Sequence, residues 1–156
     1  MRLRLITVGT RMPAWVDAAV EDYSRRLRAT ARFELLQIAT GERGSEGRNQ
    51  RARTEEGRRL LAAVDEREHV VALDERGREW STLELAQWLE QRRQQGQDLA
   101  FLIGGADGFA PEVLARAQQQ WSLSRLTLPH GLARVLAVEQ LYRATTVLAG
   151  HPYHRQ

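Results

Sequence analysis

The sequence contains no cysteine and no lysine, and each absence narrows what the protein can be. Without cysteine there is no disulfide framework, no thiolate metal site and no cysteine nucleophile. The 23 basic residues are all arginines and exceed the 20 acidic residues, which gives a net charge of +3. Arginine suits phosphates and base edges, but codon bias in a GC-rich genome also removes lysine. The composition therefore allows a nucleic-acid partner without requiring one.

Long apolar runs are missing as well. No stretch reaches the roughly 18 apolar residues that cross a bilayer, and the start, MRLRLITVGT, lacks the apolar run of a signal peptide. We therefore expect a cytoplasmic protein with no membrane partner. The length of 156 residues, of which 42% are hydrophobic, predicts a single domain over residues 1–156. The four histidines have no acidic third ligand nearby, so we expect no metal site.

Strand and helix patterns alternate along the chain. Strands are expected at residues 2–8, 33–38, 69–74 and 98–103, with strand and turn over 121–128. Helices are expected after Pro13, after Ser81 with Glu84 as a capping box, over 111–118 and over 131–148. This alternation predicts an α/β domain with a mainly parallel sheet flanked by helices.

A polar, glycine-rich stretch at residues 41–47 is expected to form a mobile loop leading into a charged helix. Its arginines could contact phosphates, but glutamates lie among them, so a solvated helix face is an equal alternative. The arginines are Arg43, Arg48, Arg51, Arg53, Arg58 and Arg59, and the glutamates are Glu42, Glu46, Glu55 and Glu56.

Two segments could hold a ligand at the carboxyl ends of strands, where open α/β sheets bind theirs. The first is the turn with Gly104, Gly105 and Gly108, which follows a buried strand but does not match a dinucleotide or P-loop fingerprint. The second is the segment 121–130, whose hydroxyls and backbone suit an adenine edge. An ordinary tight turn and an ordinary strand pair remain the alternatives.

The last helix and the tail carry the remaining candidates. Arg134, Glu139 and Arg143 interrupt an otherwise apolar helix, which suggests either a helix ion pair between Glu139 and Arg143 or a site for a polar ligand. The tail at residues 151–155 combines a tyrosine, two histidines and an arginine, groups that stack on bases and bind phosphates. A frayed terminus is the alternative.

These segments together resemble the RlmH-type family of the SPOUT methyltransferase superfamily over essentially the whole chain. The resemblance is carried by the order and spacing of several short motifs. They are Val8-Gly9-Thr10, Pro13-Ala14-Trp15, Ile103-Gly104-Gly105 with Gly108, Ser122-Leu123-Ser124, Thr127-Leu128-Pro129-His130, Arg134-Val135, residues 139–144 and Pro152-Tyr153-His154-Arg155.

The resemblance implies a C-terminal trefoil knot, a homodimer with its site near the interface, and S-adenosylmethionine (SAM) as cofactor. It also implies methylation of N3 of a pseudouridine in a stem-loop of large-subunit ribosomal RNA. The implied cofactor residues are Leu73, Gly104, Leu123, Ser124, Arg125, Leu126, Thr127 and Leu128. The implied substrate and catalytic residues are Arg143, Tyr153, His154 and Arg155.

The tail residues suggest roles for this chemistry. N3 must lose a proton, and His154 is the candidate base because histidine titrates near neutral pH. Arg143 or Arg155 would stabilise the charge on the base oxygens, and Tyr153 would stack on the base. Two other functions remain open: a related methyltransferase acting on transfer RNA, and a non-catalytic ribosome-associated RNA-binding protein.

Overall fold

A computed structural model describes residues 1–155, apart from the side chain of Glu46; Gln156, the end of the predicted domain, lies outside the described residues. Five strands alternate with five helices, and a 3-10 helix, Pro152–Arg155, follows. The strands are β1 (Arg2–Val8), β2 (Arg32–Ile38), β3 (His69–Glu79), β4 (Leu99–Ile103) and β5 (Gln119–Ser122). The helices are α1 (Ala14–Arg28), α2 (Glu46–Ala63), α3 (Thr82–Gln94), α4 (Pro111–Arg116) and α5 (His130–Ala149).

The strands form one fully parallel sheet in the order β2-β1-β4-β3-β5. Helices α1, α3 and α5 pack on one face through a core that includes Val16, Leu85 and Leu141. Helices α2 and α4 cover the other face, where Leu60 and Val113 are buried. The prediction of an α/β domain with a mainly parallel sheet is therefore confirmed.

β4 lies between two crevices at the carboxyl edge of this sheet. The chain leaves β4 toward the face that carries α4, whereas it leaves β1 and β3 toward the opposite face, which carries α1 and α3. A crevice opens where neighbouring connections depart to opposite faces of a parallel sheet. One crevice therefore lies between β1 and β4, and a second lies between β4 and β3.

The starts of α2 and β5 are two of the boundaries that differ from the sequence predictions. Helix α2 begins at Glu46, inside the predicted loop, with Ser45 as its N-cap residue. β5 begins at Gln119, because Gln119 and Gln120 pair with β3 although they are polar. The capping box at Ser81 is formed as predicted, with Ser81 Oγ accepting from Glu84 N and Glu84 Oε2 accepting from Ser81 N.

β3 is longer than predicted because it makes a detour. Leu73 pairs with Trp121 of β5, and Arg78 then pairs with the same Trp121, so the residues between them leave the ladder. Gly77 allows the close return, since a Cβ there would lie 2.6 Å from the carbonyl carbon of Gln120. The detour places Asp74 and Glu75 at the rim of the crevice beside β3.

Two further predictions concern the C-terminal knot and the membrane. The C-terminal trefoil knot stays a prediction that follows from the family resemblance. Across residues 1–155, no helix has the length and apolar character needed to cross a membrane.

Candidate functional site

The crevice between β4 and β3 contains the cleft predicted for the cofactor. The cleft is lined by Leu73, the last residue of β3 before its detour, and by Ile103, the last residue of β4. Ala133 of α5 also lines it. The loop between β5 and α5 forms the remaining wall. Of the predicted cofactor residues, Leu73, Leu123, Ser124, Leu126, Thr127 and Leu128 line this cleft together.

The loop from Leu123 to Leu128 is held by side chains rather than by a backbone ladder. Ser122 Oγ donates to the Ser124 carbonyl at 2.9 Å, and Leu126 N donates to Ser124 Oγ at 2.9 Å. Within the described chain, the loop makes no backbone–backbone hydrogen bond outside the strand and helix. Its remaining N–H and C=O groups can therefore pair with the edge of a purine, while the leucines contact the ring.

The cleft fits SAM chemically but is narrow. Its volume is about 140 Å³, whereas pockets for small ligands usually measure roughly 300–1,000 Å³. Leu126 is 73% exposed at the tip of the loop. The described residues therefore enclose only part of a nucleoside-sized cofactor.

Two predicted cofactor residues are not among those lining the cleft. Arg125 is exposed on the loop and does not line the cleft. Gly104 directly follows β4 and does not line the cleft. The assignment of cofactor contacts to these two residues stays a prediction.

The structure adds Asp74 to the candidate site. Its side chain lies at the rim of the cleft and is only 8% exposed, and Arg76 donates two hydrogen bonds to it at 3.1 Å. The hydrogen bonds from Arg76 lower the pKa of Asp74, so it is a carboxylate at neutral pH. Asp74 was not predicted as a site residue, because the sequence pattern ends the strand there and does not indicate the detour that follows.

The tail cluster, defined as Glu139, Arg143, Tyr153 and His154, lies at the other end of α5. Glu139 Oε1 accepts from Arg143 Nη2 at 2.7 Å and from the Tyr153 hydroxyl at 3.0 Å. The guanidinium of Arg143 stacks over the Tyr153 ring at 4.7 Å from its centroid. The predicted Glu139–Arg143 pair is confirmed, and the tail is docked on α5 rather than frayed.

The tail cluster contains side-chain groups that are suited to binding a substrate. His154 Nδ1 is buried and has no hydrogen-bond partner among residues 1–155. Burial and hydrogen bonds with Tyr23 and Glu139 raise the pKa of the Tyr153 hydroxyl, which therefore stays protonated. Arg155 is exposed beside these groups. The catalytic roles of Arg143, Tyr153, His154 and Arg155 stay predictions.

One protomer does not bring the tail cluster to the cofactor cleft. Ala133 lines the cleft, and Arg143 follows ten residues later on the same helix, which corresponds to about 15 Å along the axis. None of the tail residues lines the cleft. A site that uses both groups needs either a large movement or a second copy of the chain.

The arginines of the loop and of α2 serve different purposes. Arg43 pairs with the buried Glu56 and donates to Asp107 Oδ2 at 2.9 Å. Arg59 donates to the carbonyls of Ala39 and Thr40 at 3.0 and 2.9 Å. These two are structural. Three others, Arg48, Arg51 and Arg58, are exposed, while Arg53 is half-buried.

Comparison with known proteins identifies the family. A sequence profile described as "Predicted SPOUT methyltransferase" matches residues 1–154. The chain belongs to the SPOUT methyltransferase family. A protein of Chromohalobacter salexigens named ribosomal RNA large subunit methyltransferase H is 50% identical over 155 residues, which cover 99% of this chain and 100% of that protein. A protein of Alkalilimnicola ehrlichii with the same name is 52% identical and is covered to 99%.

Solved structures agree with the SPOUT assignment at the level of fold. A probable rRNA methyltransferase of Porphyromonas gingivalis aligns with a TM-score of 0.53 and 16% identity over 94% of this chain and 69% of that one. A methyltransferase of Legionella pneumophila, solved with bound SAM, aligns with a TM-score of 0.51 and 12% identity over 92% and 66%. The SPOUT fold predicted from the resemblance is confirmed, and the chain is a methyltransferase.

Proposed function

We propose that this protein transfers a methyl group from SAM to N3 of a pseudouridine in a stem-loop of 23S, large-subunit ribosomal RNA. The observation that carries the proposal is identity of about 50% over the full length with proteins named as large-subunit rRNA methyltransferases. The structure supports it with a cleft that suits an adenosyl group and a docked cluster of aromatic and basic side chains. We propose that the protein acts in the cytoplasm, on ribosomal RNA.

SAM supplies a methyl group that its sulfonium has already activated for displacement. The chain then has to bind and orient the reactants. The loop from Leu123 to Leu128 holds the adenine edge through its backbone, and Leu73 and Leu128 cover the apolar surface. The carboxylate of Asp74 at the rim can accept hydrogen bonds from ribose hydroxyls or attract the positive charge of the cofactor.

The tail cluster prepares the base that accepts the methyl group. His154 takes the N3 proton after a ring nitrogen has turned toward the base, since its unpartnered Nδ1 is buried. Loss of this proton spreads negative charge onto the two neighbouring carbonyl oxygens, and Arg143 or Arg155 donates to them. Tyr153, held by Glu139, supplies a ring on which the base can stack.

We further propose that the functional unit is a homodimer in which the tail of one protomer reaches the cleft of the other. The first turns of α1 and α5 expose Trp15, Leu132 and Leu136, which are 55%, 39% and 38% exposed. The two helices are close here, since a Cβ on Gly131 would lie 2.9 Å from Val16. An apolar surface on touching helices beside a cleft is typical of a protein interface.

Mass spectrometry of ribosomal RNA nucleosides tests the reaction. Cells that lack the gene should lose N3-methylpseudouridine from the large subunit, and the wild-type gene should restore it. An unchanged large subunit with a methylated nucleoside missing from transfer RNA would favour the alternative substrate. Calorimetry that finds no SAM binding would instead favour an RNA-binding protein without catalysis.

A further inference from the structure

A second cleft lies in the crevice between β1 and β4, on the other side of β4 from the cofactor cleft. Residues from the ends of three strands line it, with His130 from α5. Its volume is about 670 Å³, within the roughly 300–1,000 Å³ of ligand pockets. The lining is polar in part and comprises Val8, Gly9, Thr10, Arg11, Met12, Thr40, Gly41, Arg43, Gly105, Ala106 and His130.

We propose that this second cleft binds a nucleotide of the substrate RNA and holds it by its phosphate and polar edges. This inference rests on the proposed function only in taking RNA as the substrate. The turn after β4 separates the two clefts, with Ile103 before it lining the cofactor cleft and Gly105 lining the second cleft. RNA in the second cleft would therefore be one glycine turn away from the cofactor.

A buried positive charge lies behind this cleft. Arg134 is 1% exposed, and its Nη2 donates to the Gly9 carbonyl at 3.1 Å and to the Val8 carbonyl at 3.3 Å. Its Nε and Nη1 have no partner in the described part of the chain, and no carboxylate forms an ion pair with it there. Arginine stays charged when buried, so the wall of the cleft is electropositive.

His130 lines the cleft and contacts Arg134. Its Nε2 lies 2.9 Å from Arg134 Nη2, which can only donate, so Nε2 accepts and the ring is neutral. Burial, together with the charge of Arg134, lowers the pKa of His130, in agreement with a neutral ring. Therefore none of the described residues that line the cleft near Arg134 neutralises its charge.

Among the described residues, the exposed lining of the cleft contributes one arginine that forms no ion pair. Arg43 is paired with both Glu56 and Asp107, which leaves one negative charge in that group and no free charge on Arg43. Arg11 is exposed at the mouth of the cleft and forms no ion pair with any described residue. Hydroxyls of Thr10 and Thr40 stand beside it. One exposed arginine, two hydroxyls and a buried cation suit an anionic, hydrogen-bonding ligand, which a ribonucleotide is.

The test compares Arg11→Gln with the matched control Arg32→Gln, which removes the same charge from the amino edge of the sheet. Binding of a pseudouridine-containing stem-loop RNA is measured over a series of salt concentrations. Arg11→Gln should weaken binding about tenfold and reduce the salt slope by about one. Arg32→Gln should change neither, and both variants should bind S-adenosylhomocysteine like the wild type.

A stem-loop carrying 4-thiouridine gives an independent readout by photocrosslinking. Crosslinks should map to residues 8–12, 40–43 or 104–106. Crosslinks confined to α2, equal RNA binding by the two variants, or loss of S-adenosylhomocysteine binding in Arg11→Gln would each overturn the proposal. Wild-type protein that binds the RNA through this cleft but does not methylate N3 would overturn the proposed function alone.

Discussion

Glu139 determines where the aromatic and basic groups of the tail lie. One carboxylate oxygen accepts from both Arg143 and Tyr153, and the other accepts from Gln140 at 2.7 Å. The Tyr153 ring also packs on Tyr142, with centroids 4.7 Å apart. Because Glu139 is buried, these hydrogen bonds compensate the cost of removing its charge from water. The tail is thus prepositioned before RNA binds.

His154 is the residue whose replacement separates catalysis from binding. In His154→Ala, turnover should fall by about 100-fold or more because a general base is lost. The dissociation constant for SAM, measured by calorimetry, should stay unchanged, because His154 does not line the cofactor cleft.

The variant His154→Asn serves as the matched control for that experiment. Asparagine keeps a hydrogen-bonding group but cannot take up a proton near neutral pH. Turnover as low as in His154→Ala supports a proton acceptor. Turnover restored by asparagine, or an equal loss of SAM binding in both variants, would show that His154 only organises the site.

At the scale of elements, the turn after β4 is held in place by α2. Glu56 of α2 lies against Gly105, and Arg43 links Glu56 to Asp107 on the same turn. A Cβ on Gly105 would overlap the Glu56 carboxylate and lie 2.9 Å from Arg43 Nη2. This contact connects a helix on one face of the sheet to the turn between the two clefts.

Gly105→Ala should therefore disturb the turn. We expect a loss of about 1–3 kcal/mol in the free energy of unfolding, the usual cost of overpacking, together with weaker SAM binding. Urea unfolding and calorimetry measure the two effects. In the control Gly47→Ala, the added Cβ meets nothing within 4 Å, so stability should be equal or higher by up to about 1 kcal/mol. Equal stability of both variants would contradict the role of Glu56.

The elements themselves were largely predictable, whereas the contacts between them were not. Strand β1 ends at Val8, just before Gly9, as the pattern predicts, and Ser81 caps the start of α3. The Arg43–Glu56 pair joins residues that sequence reasoning could only describe as a solvated face, because charge patterns do not show burial. Likewise, Arg134 reads as an interruption of an apolar helix until its carbonyl partners, more than 100 residues away, are known.

At the scale of the whole molecule, the homodimer that we propose would bring the tail cluster of one protomer to the cofactor cleft of the other. A two-fold dimer uses the same surface of both protomers, so the exposed Trp15, Leu132 and Leu136 would face their own equivalents. This arrangement buries apolar side chains that a monomer leaves in water. It also places the loop before α5 beside the partner.

Leu136→Glu should disrupt this dimer. Two glutamates would be buried without partners, which raises the dimer dissociation constant by about 100-fold, and turnover should fall with it. Analytical ultracentrifugation measures the mass. Leu36→Glu is the control, because Leu36 has the same exposure of 38% but lies on β2, at the edge of the sheet. A Leu136→Glu protein that remains dimeric and active would place the interface elsewhere.

The family, and with it the methyl-transfer reaction, was predictable from the order of short motifs. The parallel sheet followed from the alternation of strands and helices, which is a local property of the chain. The second cleft was not predictable, because its lining comes from three separate strand ends and one helix. Which residues meet at an edge depends on strand order, and residue spacing does not determine strand order.

The detour of β3 affects which sequence changes this enzyme can accept. Since Leu73 and Arg78 both align with Trp121, the four intervening positions add nothing to the register of the sheet. Insertions or deletions there would reshape the rim of the cleft while every strand keeps its neighbour. Variation in substrate access can in this way be uncoupled from variation in the scaffold.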